Sequence, residues 1–186
     1  MTSRTTRSLP MPPPSSQSVR ILRVGGVVKT DLLNQLLKQG VQLNPLAFQL
    51  FSDDGFQTSV EQRTLAVVQV SVAELGLSQG GVFQEIAARA LARGYSLCPL
   101  ELGPHLRLTY ADQAEGFLGQ PPSQKCAPPG SVTVASQPIS EDDDTPKGFY
   151  LRVIEGLPWL RGYRSWPGHV WAPTDVLAFV ESNRTA

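Results

Sequence analysis

The stretch that decides the fold reads Gly148-Phe149-Tyr150-Leu151-Arg152-Val153-Ile154-Glu155-Gly156-Leu157-Pro158-Trp159-Leu160-Arg161-Gly162-Tyr163. Two runs of aromatic, branched and alternating residues flank Glu155-Gly156. An acidic residue followed by glycine suits a tight two-residue hairpin turn, because both central residues of that turn need positive φ. The sequence therefore predicts a β-hairpin in which Ile154 pairs with Leu157.

This register sorts the side chains of the hairpin onto two faces, because successive residues of a strand point to opposite sides. The uncharged face, predicted to belong to the core, carries Phe149, Leu151, Val153, Pro158, Leu160 and Gly162. The other face carries the residues that we name the Arg/aromatic surface: Tyr150, Arg152, Trp159, Arg161 and Tyr163. A slip of one residue would scramble this sorting, so the register is strongly implied. Since Pro158 has no N–H to donate, we predict that its strand lies at or near a sheet edge.

Length and composition limit the classes of protein that need to be considered. The chain has 186 residues, with 41% hydrophobic and 17% charged residues and a formal net charge of zero. We expect one domain with a sizeable core. A zero net charge argues against an electrostatic nucleic-acid binder, whose surface is usually strongly basic. We also expect no membrane span and no secretory signal. Cys98 and Cys126 are too few for a disulfide scaffold, which indicates free thiols in a cytoplasmic protein.

Hydrophobic spacing and helix-ending residues predict the remaining elements. Residues 1–18 have too few apolar residues to offset the entropy cost of ordering and are predicted to be disordered, and residues 117–130 form a predicted flexible Pro/Gly-rich insertion. Residues 19–182 are predicted to be a single α+β domain, a mostly antiparallel sheet packed on one face by two or three helices. The first predicted helix is capped by Thr30 or Asp31 and runs through Gln39. The second is capped by Asn44, starts at Pro45 and stops at residues 52–55, and the third covers Val82 to Arg93. Predicted strands cover Leu65–Val72, Pro104–Tyr110 and Ser131–Ser136, and Asp175–Val180 is either a strand or a short helix.

A second group of candidate functional residues lies between the middle helix and the insertion. Cys98, Glu101, His105 and Arg107 combine a thiol, a carboxylate, an imidazole and a guanidinium. These types can form a nucleophile, its base and an orienting group. The order Cys-Pro-x-Glu-x-Gly-Pro-His matches no familiar spacing, however, and a rigid turn before a strand explains the same residues. Both interpretations stay open at this stage.

Metal and cofactor motifs do not emerge from the sequence. Glu141-Asp142-Asp143-Asp144 is a run of carboxylates, but it lacks the glycine-containing spacing of a calcium loop. Gly25-Gly26 lacks the third glycine of a dinucleotide fingerprint. We therefore expect an exposed acidic turn at 141–144, and neither a metal nor a cofactor.

Five short motifs of the chain read Leu97-Cys98-Pro99-Leu100-Glu101-Leu102-Gly103-Pro104, Leu106-Arg107-Leu108, Asp112-Gln113-Ala114-Glu115-Gly116, Gly148-Phe149-Tyr150-Leu151-Arg152 and Trp159-Leu160. Together they resemble a family of short bacterial proteins that have no established function. The resemblance covers roughly residues 45–180 and implies a cytoplasmic bacterial protein, without implying any catalytic residue. Some members of the family are labelled helicases, but this chain has no G-x-x-x-x-G-K-[ST] phosphate loop and is far too short for a motor.

Three functional hypotheses follow from the sequence. The first is a non-enzymatic binding or interaction module that uses the Arg/aromatic surface for a protein or an anionic ligand, since Trp, Tyr and Arg dominate interaction hot spots. The second is a small enzyme centred on Cys98, Glu101, His105 and Arg107. The third is an accessory protein for nucleic acid. The sequence does not identify the ligand, the partner or the oligomeric state.

Overall fold

The computed structural model describes residues 19–116 and 127–182. The predicted disordered tail at 1–18 and residues 117–126 of the predicted insertion lie outside the described residues. The described elements, in chain order, are β1 Val19–Val24, α1 Lys29–Lys38, β2 Gln42–Leu43, α2 Pro45–Ser52, β3 Arg63–Ser71, β4 Gly81–Val82, α3 Phe83–Leu91, β5 Tyr95–Ser96, α4 Leu102–Thr109, β6 Val132–Val134, β7 Gly148–Ile154, β8 Leu157–Tyr163, β9 Val170–Trp171 and β10 Val176–Glu181.

Most of the described strands form one eight-stranded sheet. Its order is β1-β3-β10-β6-β7-β8-β2, with β5 paired to the end of β10, and β4 and β9 form a separate two-stranded sheet. The pairs β10–β6 and β2–β8 are parallel, whereas the other pairs are antiparallel. The predicted α+β class with a mostly antiparallel sheet is confirmed. The sheet is mixed, because β10 and β6 pair in parallel within it and β2 pairs in parallel with β8 at one edge.

The hairpin formed by β7 and β8 has the predicted register. Ile154 pairs with Leu157 and the ladder continues to Gly148 and Tyr163. Glu155 and Gly156 have φ angles of 53° and 73°, as a tight hairpin turn requires. Among the described strands, only β2 lies beyond β8; it pairs with Trp159 and Leu160 and does not extend to Pro158. The strand that contains Pro158 therefore lies next to the edge of the sheet.

The helices cover both faces of the sheet, and the prediction that they pack on one face is wrong. Helices α1, α2 and α4 pack on the face that includes Val67 and Phe149. Helix α3 packs on the opposite face, against Val68 and Phe179. The physical reason lies in β3, which is flanked by β1 and β10 and in which the successive residues Val67 and Val68 are 0% and 1% exposed. A strand that is apolar on both sides needs cover on both faces.

The segment predicted as a strand over Pro104–Tyr110 is a helix, α4. Leu102 and Leu106 lie four residues apart and are both fully buried, which is the helical rather than the strand period. Gly103 lets this helix approach the sheet closely, because a Cβ at that position would lie 2.8 Å from the Cβ of Phe149. The alternation of Leu106 and Leu108 in the sequence is therefore incidental.

Helix α2 is joined to β8 by the residue that caps it. The side chain of Asn44 accepts a hydrogen bond from Ala47 N at 3.0 Å, as the sequence predicts for an N-cap followed by proline. The same amide group bonds to both backbone groups of Gly162, at 2.8 and 3.0 Å. Helix α1 differs from the prediction: it starts at Lys29, and its N-cap, Val28, makes no side-chain cap bond, so neither Thr30 nor Asp31 is the cap.

The other predicted elements appear close to their expected positions. Helix α3 is followed by Gly94 at a φ of 79°, and Gly40 after α1 has a φ of 75°. The C-terminal segment left open between strand and helix is the strand β10. Residues 127–130 of the predicted insertion include a turn that leads into β6, closed by Ser131 N donating to Pro128 O at 3.0 Å. None of the described helices is long and apolar enough to cross a membrane.

Candidate functional site

The Arg/aromatic surface occupies the face of the sheet that α3 covers only in part. Tyr150 pairs with Thr133 of β6, and Thr133 pairs with Leu177 of β10, so the surface continues the row of residues that packs under α3. Within residues 19–116 and 127–182, α3 is the helix found on this face, and it packs over β3 and β10. The half of the face formed by β7 and β8 carries the arginines and aromatic rings.

Arg161 is held between two rings of this surface. Its guanidinium carbon lies 4.9 Å from the ring centre of Trp159 and 6.0 Å from that of Tyr150. These distances place the cation at cation–π range of the electron-rich ring faces. Tyr150 in turn contacts Tyr163, with ring centres 6.4 Å apart. Arg152 pairs directly across the ladder from Trp159. The structure thus brings together the five residues that the sequence assigned to this surface.

The charges of the two arginines are not neutralised within the described part of the chain. Neither Arg152 nor Arg161 is in the ion pairs that the described residues form. The Nε groups of both arginines and the indole Nε1 of Trp159 are buried and have no hydrogen-bond acceptor there. All of these groups are donors. Because these donor atoms are buried, a partner would meet the two positive charges, which have no counter-ion in the described residues and favour a partner that carries carboxylates.

The aromatic contacts continue beyond Tyr163 toward a groove. Tyr163 contacts Trp171, Trp171 contacts His169, and His169 contacts Trp166, with ring centres 5.7, 5.2 and 5.0 Å apart. Burial lowers the pKa of His169, although the charge of Asp175 opposes this, so the ring is held toward its neutral form. The sequence analysis missed this extension, because these rings follow β8 in loops and a short strand with no readable period.

The groove has a volume of about 430 Å³. Its walls come from α3, from the connection between β6 and β7, and from the loop that follows β8, and the sequence places these segments far apart. They include Phe83, Ser136, Lys147, Tyr163 and Trp166. Only the fold brings these residues together, so no local motif predicts them.

The second candidate group, Cys98, Glu101, His105 and Arg107, has a different character. Cys98 is buried, and its thiol donates to the carbonyl of Ala178 at 3.2 Å. Burial raises the pKa of this thiol well above its usual range, so the reactive thiolate is not formed at neutral pH. Cys98 therefore behaves as a small apolar residue of the core.

Glu101 and His105 hold two loops at one end of the sheet. The carboxylate of Glu101 accepts hydrogen bonds from the backbone N and the hydroxyl of Ser59, at 2.9 and 2.5 Å, and lies 3.8 Å from Arg63. Nε2 of His105 accepts a hydrogen bond from Gly25 N at 3.2 Å. Burial lowers the pKa of His105, an effect that the charge of Glu101 opposes. Both side chains thus have partners that belong to the fold.

Arg107 makes its hydrogen bonds near the C-terminal end of α4, away from the partners of Glu101 and His105. Its guanidinium donates to Gln113 Oε1 at 2.5 Å and to the carbonyl oxygen of Tyr110, near the end of the helix. Gln113 in turn donates to the carbonyls of Leu151 and Gly130, each at 3.1 Å. Burial lowers the pKa of Arg107. The structure therefore connects Arg107 to the hairpin and does not bring it together with Glu101 and His105.

The acidic run Glu141–Asp144 is exposed, as expected. It lies in the connection between β6 and β7, and its first residue, Glu141, lines the groove. Its backbone is held by Lys147, whose ammonium group donates to the carbonyls of Ser140 and Asp142. In the part of the chain that the structure describes, no group of three or more His, Cys, Asp or Glu residues is placed to hold a metal ion.

Comparison with known proteins finds no family model, no curated protein and no solved structure that matches this chain. The resemblance to a family of short bacterial proteins stays a prediction. What this chain does must therefore be argued from the geometry of its own residues.

Proposed function

We propose that this chain is a non-enzymatic binding module that holds an acidic segment of a partner protein on the Arg/aromatic surface. The observation that carries the proposal is Arg161, placed between Trp159 and Tyr150 without a carboxylate partner in the described residues. A guanidinium that is already stacked on a ring loses little conformational freedom when it binds a carboxylate. Aromatic residues and arginine are the types that dominate protein interfaces.

The charges around the surface favour an acidic peptide over a nucleic acid. Glu155 lies in the turn at one end of the hairpin, and the run Glu141–Asp144 precedes the other end. These carboxylates would repel the regularly spaced charges of a phosphate backbone more strongly than a short peptide that carries few carboxylates, and the net charge of the chain is zero. Leu157 is 48% exposed at the turn and has the same strand phase as Trp159, so it offers an apolar contact for a side chain of a peptide.

The second candidate group, Cys98, Glu101, His105 and Arg107, gives less support to the alternative of a small enzyme. Its thiol is buried and protonated, and its carboxylate and imidazole are bonded to Ser59 and Gly25. Catalysis would require these groups to leave their partners in the fold. The Arg/aromatic surface needs no such rearrangement to bind a carboxylate.

Fluorescence anisotropy with a defined probe tests the proposal. The probe is a short fluorescein-labelled peptide of alternating aspartate and leucine, compared with a matched lysine–leucine peptide and with a labelled oligothymidine. We expect the acidic peptide to bind, and the double variant Arg152→Ala/Arg161→Ala to bind it about 30-fold more weakly, which corresponds to a loss of about 2 kcal/mol at a hot spot. Arg152→Lys/Arg161→Lys should lose part of this affinity, because lysine keeps the charge but not the planar fork.

The matched control is Arg23→Ala/Arg89→Ala, which removes the same charge from exposed positions on β1 and α3. It should bind the acidic peptide like the wild type. An equal loss in both double variants would show that only net charge matters and would overturn the proposal. Tighter binding of oligothymidine than of the peptide, lost in Trp159→Ala, would instead favour the nucleic-acid hypothesis.

A further inference from the structure

The groove between α3 and the β6–β7 connection has the dimensions of a small-molecule site. Its volume of about 430 Å³ lies within the range of ligand pockets, which is roughly 300–1,000 Å³. It is separate from the ladder positions of Arg152, Trp159 and Arg161, which do not line it. Tyr163 is the residue that the groove shares with the Arg/aromatic surface.

Part of the groove wall is apolar and aromatic. Phe83 on α3, Leu97, Tyr163 and Trp166 line it, together with Pro138 and Pro167. Trp166 is 53% exposed although its ring contacts His169, so a large part of its surface is open to an incoming molecule. Rings prefer offset or edge contacts with other rings, which favours a flat aromatic ligand between such walls.

A buried cation also lines the groove. Lys147 is 9% exposed, and its ammonium group donates to the carbonyls of Ser140 and Asp142 at 2.9 and 2.8 Å. An ammonium group has three N–H donors, so these two bonds leave one donor over. Lys147 takes no part in the ion pairs of the described residues. A buried positive charge without a counter-ion is stabilised by an incoming anion.

Two hydroxyl groups accompany this cation beside Gly148. Ser136 is 2% exposed, and its hydroxyl has no hydrogen-bond partner among the described residues. A Cβ on Gly148 would lie 3.0 Å from this hydroxyl and 3.5 Å from the hydroxyl of Tyr163, so the bare backbone of Gly148 makes room for both groups. Burial raises the pKa of Tyr163, which keeps its hydroxyl protonated and able to donate. The polar groups here are thus donors that suit a carboxylate.

From this arrangement we propose that the groove binds a small aromatic carboxylate, with the carboxylate at Lys147, Ser136 and Tyr163 and the ring against Phe83 and Trp166. Glu141 also lines the groove, and Asp142, Asp143 and Asp144 follow it in the exposed loop. Because these carboxylates repel additional negative charge, a singly charged carboxylate is favoured over a phosphate ester. This site does not depend on the peptide-binding function of the Arg/aromatic surface.

Titration of the isotope-labelled full chain by NMR tests the site. The probes are benzoate and indole-3-carboxylate, with their neutral amides and phenyl phosphate as comparisons. We expect at least one acid to bind with a dissociation constant of about 1 mM or tighter, given the affinity that so few atoms can supply. The backbone signal of Gly148 and the indole signal of Trp166 should shift. The matching amide should bind about tenfold more weakly or worse, because it lacks the charge that Lys147 recognises.

Three variants test whether Lys147 binds a ligand or only holds the loop at Ser140 and Asp142. Lys147→Met should weaken acid binding about tenfold or more. Ala87→Phe fills the groove from α3, leaves the loop untouched and should also abolish binding. Lys38→Met, at the exposed end of α1, is the matched control and should bind like the wild type. The proposal is overturned if the acids shift no groove signal, if the amides bind equally well, or if Ala87→Phe binds unchanged.

The same titration distinguishes this site from the Arg/aromatic surface. Arg152→Ala/Arg161→Ala should bind the aromatic acid with unchanged affinity, even though it loses the acidic peptide. If this variant loses the acid and the shifts map to Trp159, the acid binds the Arg/aromatic surface and the groove proposal is wrong.

Discussion

The two faces of the β7–β8 hairpin carry chemically active side chains in two different states. On one face lies α4, where Glu101 bonds to Ser59 and His105 bonds to Gly25. On the other face lie Arg152 and Arg161, which form no ion pair with the described residues. Both faces contain residues of types that catalyse or bind. Only the second leaves charged groups without a partner in the described residues.

The difference shows that residue type alone does not identify a functional site. A buried polar group that is fully bonded stabilises the fold, and its removal is felt as a loss of stability. A charged group that lies unpaired on a half-exposed surface contributes little to stability and is available to a ligand. The two faces should therefore respond differently to the same kind of substitution, in stability on one side and in binding on the other.

The largest contrast is expected between two neighbours in β7. Phe149 is fully buried, and its ring centre lies 5.6 Å from that of Phe51 and 5.8 Å from that of Phe56. Phe149→Ala should lower the free energy of unfolding by about 3–5 kcal/mol, because it leaves a cavity under α4. Tyr150→Ala, one residue further along β7 and on the other face, should lower the free energy of unfolding by only about 1 kcal/mol. Urea denaturation of both variants measures this difference, and equal losses would contradict the assignment of the two faces.

The second contrast is in the pH dependence of stability. Burial lowers the pKa of His105 in the folded state, against the charge of Glu101, whereas a histidine in the unfolded chain titrates near pH ~6.5. Protonation would also make His105 Nε2 a donor and break its bond with Gly25 N. The unfolded state therefore takes up the proton more readily. The stability contribution of His105 is complete above pH ~6.5 and is lost as the pH falls through that value toward the lower folded pKa.

The free energy of unfolding should thus fall between pH ~8 and pH ~5 more steeply in the wild type than in His105→Gln. Glutamine cannot be protonated in this range and can still accept the bond from Gly25. His169→Gln is the control, because burial also lowers the pKa of His169 and its contribution must be separated. Binding of the acidic peptide should not follow the same titration, since both arginines stay charged. Identical slopes for wild type and His105→Gln would show that His105 does not link protons to folding.

The sequence predicts the hairpin and its surface well because the determining interactions are local. The turn at Glu155-Gly156 fixes the register, and the alternation of Leu151 with Arg152 fixes the faces. Five residues assigned to one surface by strand phase alone do lie together. Their partners across space, such as Trp171 and α3, were outside the reach of that reasoning.

The parts that were not predicted depend on contacts between distant segments. Pro104–Tyr110 alternates like a strand but is helical, because Leu102 and Leu106 are buried on one side and Gly103 meets Phe149. A short apolar segment does not reveal its period without its neighbours. The placement of α3 on the second face and the assembly of the groove have the same origin. Each requires the order of strands in the sheet, which no local pattern contains.

The smallest expected effect concerns the turn that keeps the two faces apart. Glu155 has a φ of 53°, which glutamate rarely adopts and which aspartate tolerates better in a turn of this type. Glu155→Asp should therefore raise the free energy of unfolding by about 0.5 kcal/mol while keeping the charge beside the Arg/aromatic surface. Its affinity for the acidic peptide should equal that of the wild type, since the register and both faces are unchanged.

Gly156→Ala gives the opposite control at the neighbouring position. Gly156 has a φ of 73°, and a Cβ there would meet no heavy atom within 4 Å, so the substitution tests the backbone conformation without adding a clash. Gly156→Ala should lower the free energy of unfolding by about 1 kcal/mol. If Glu155→Asp is more stable yet binds the peptide more weakly, the surface must rearrange to bind, and the preformed stack of Arg161 on Trp159 would not be the binding conformation. If stability and affinity change independently, the hairpin is a rigid platform, with its fold secured on one face and its ligand held on the other.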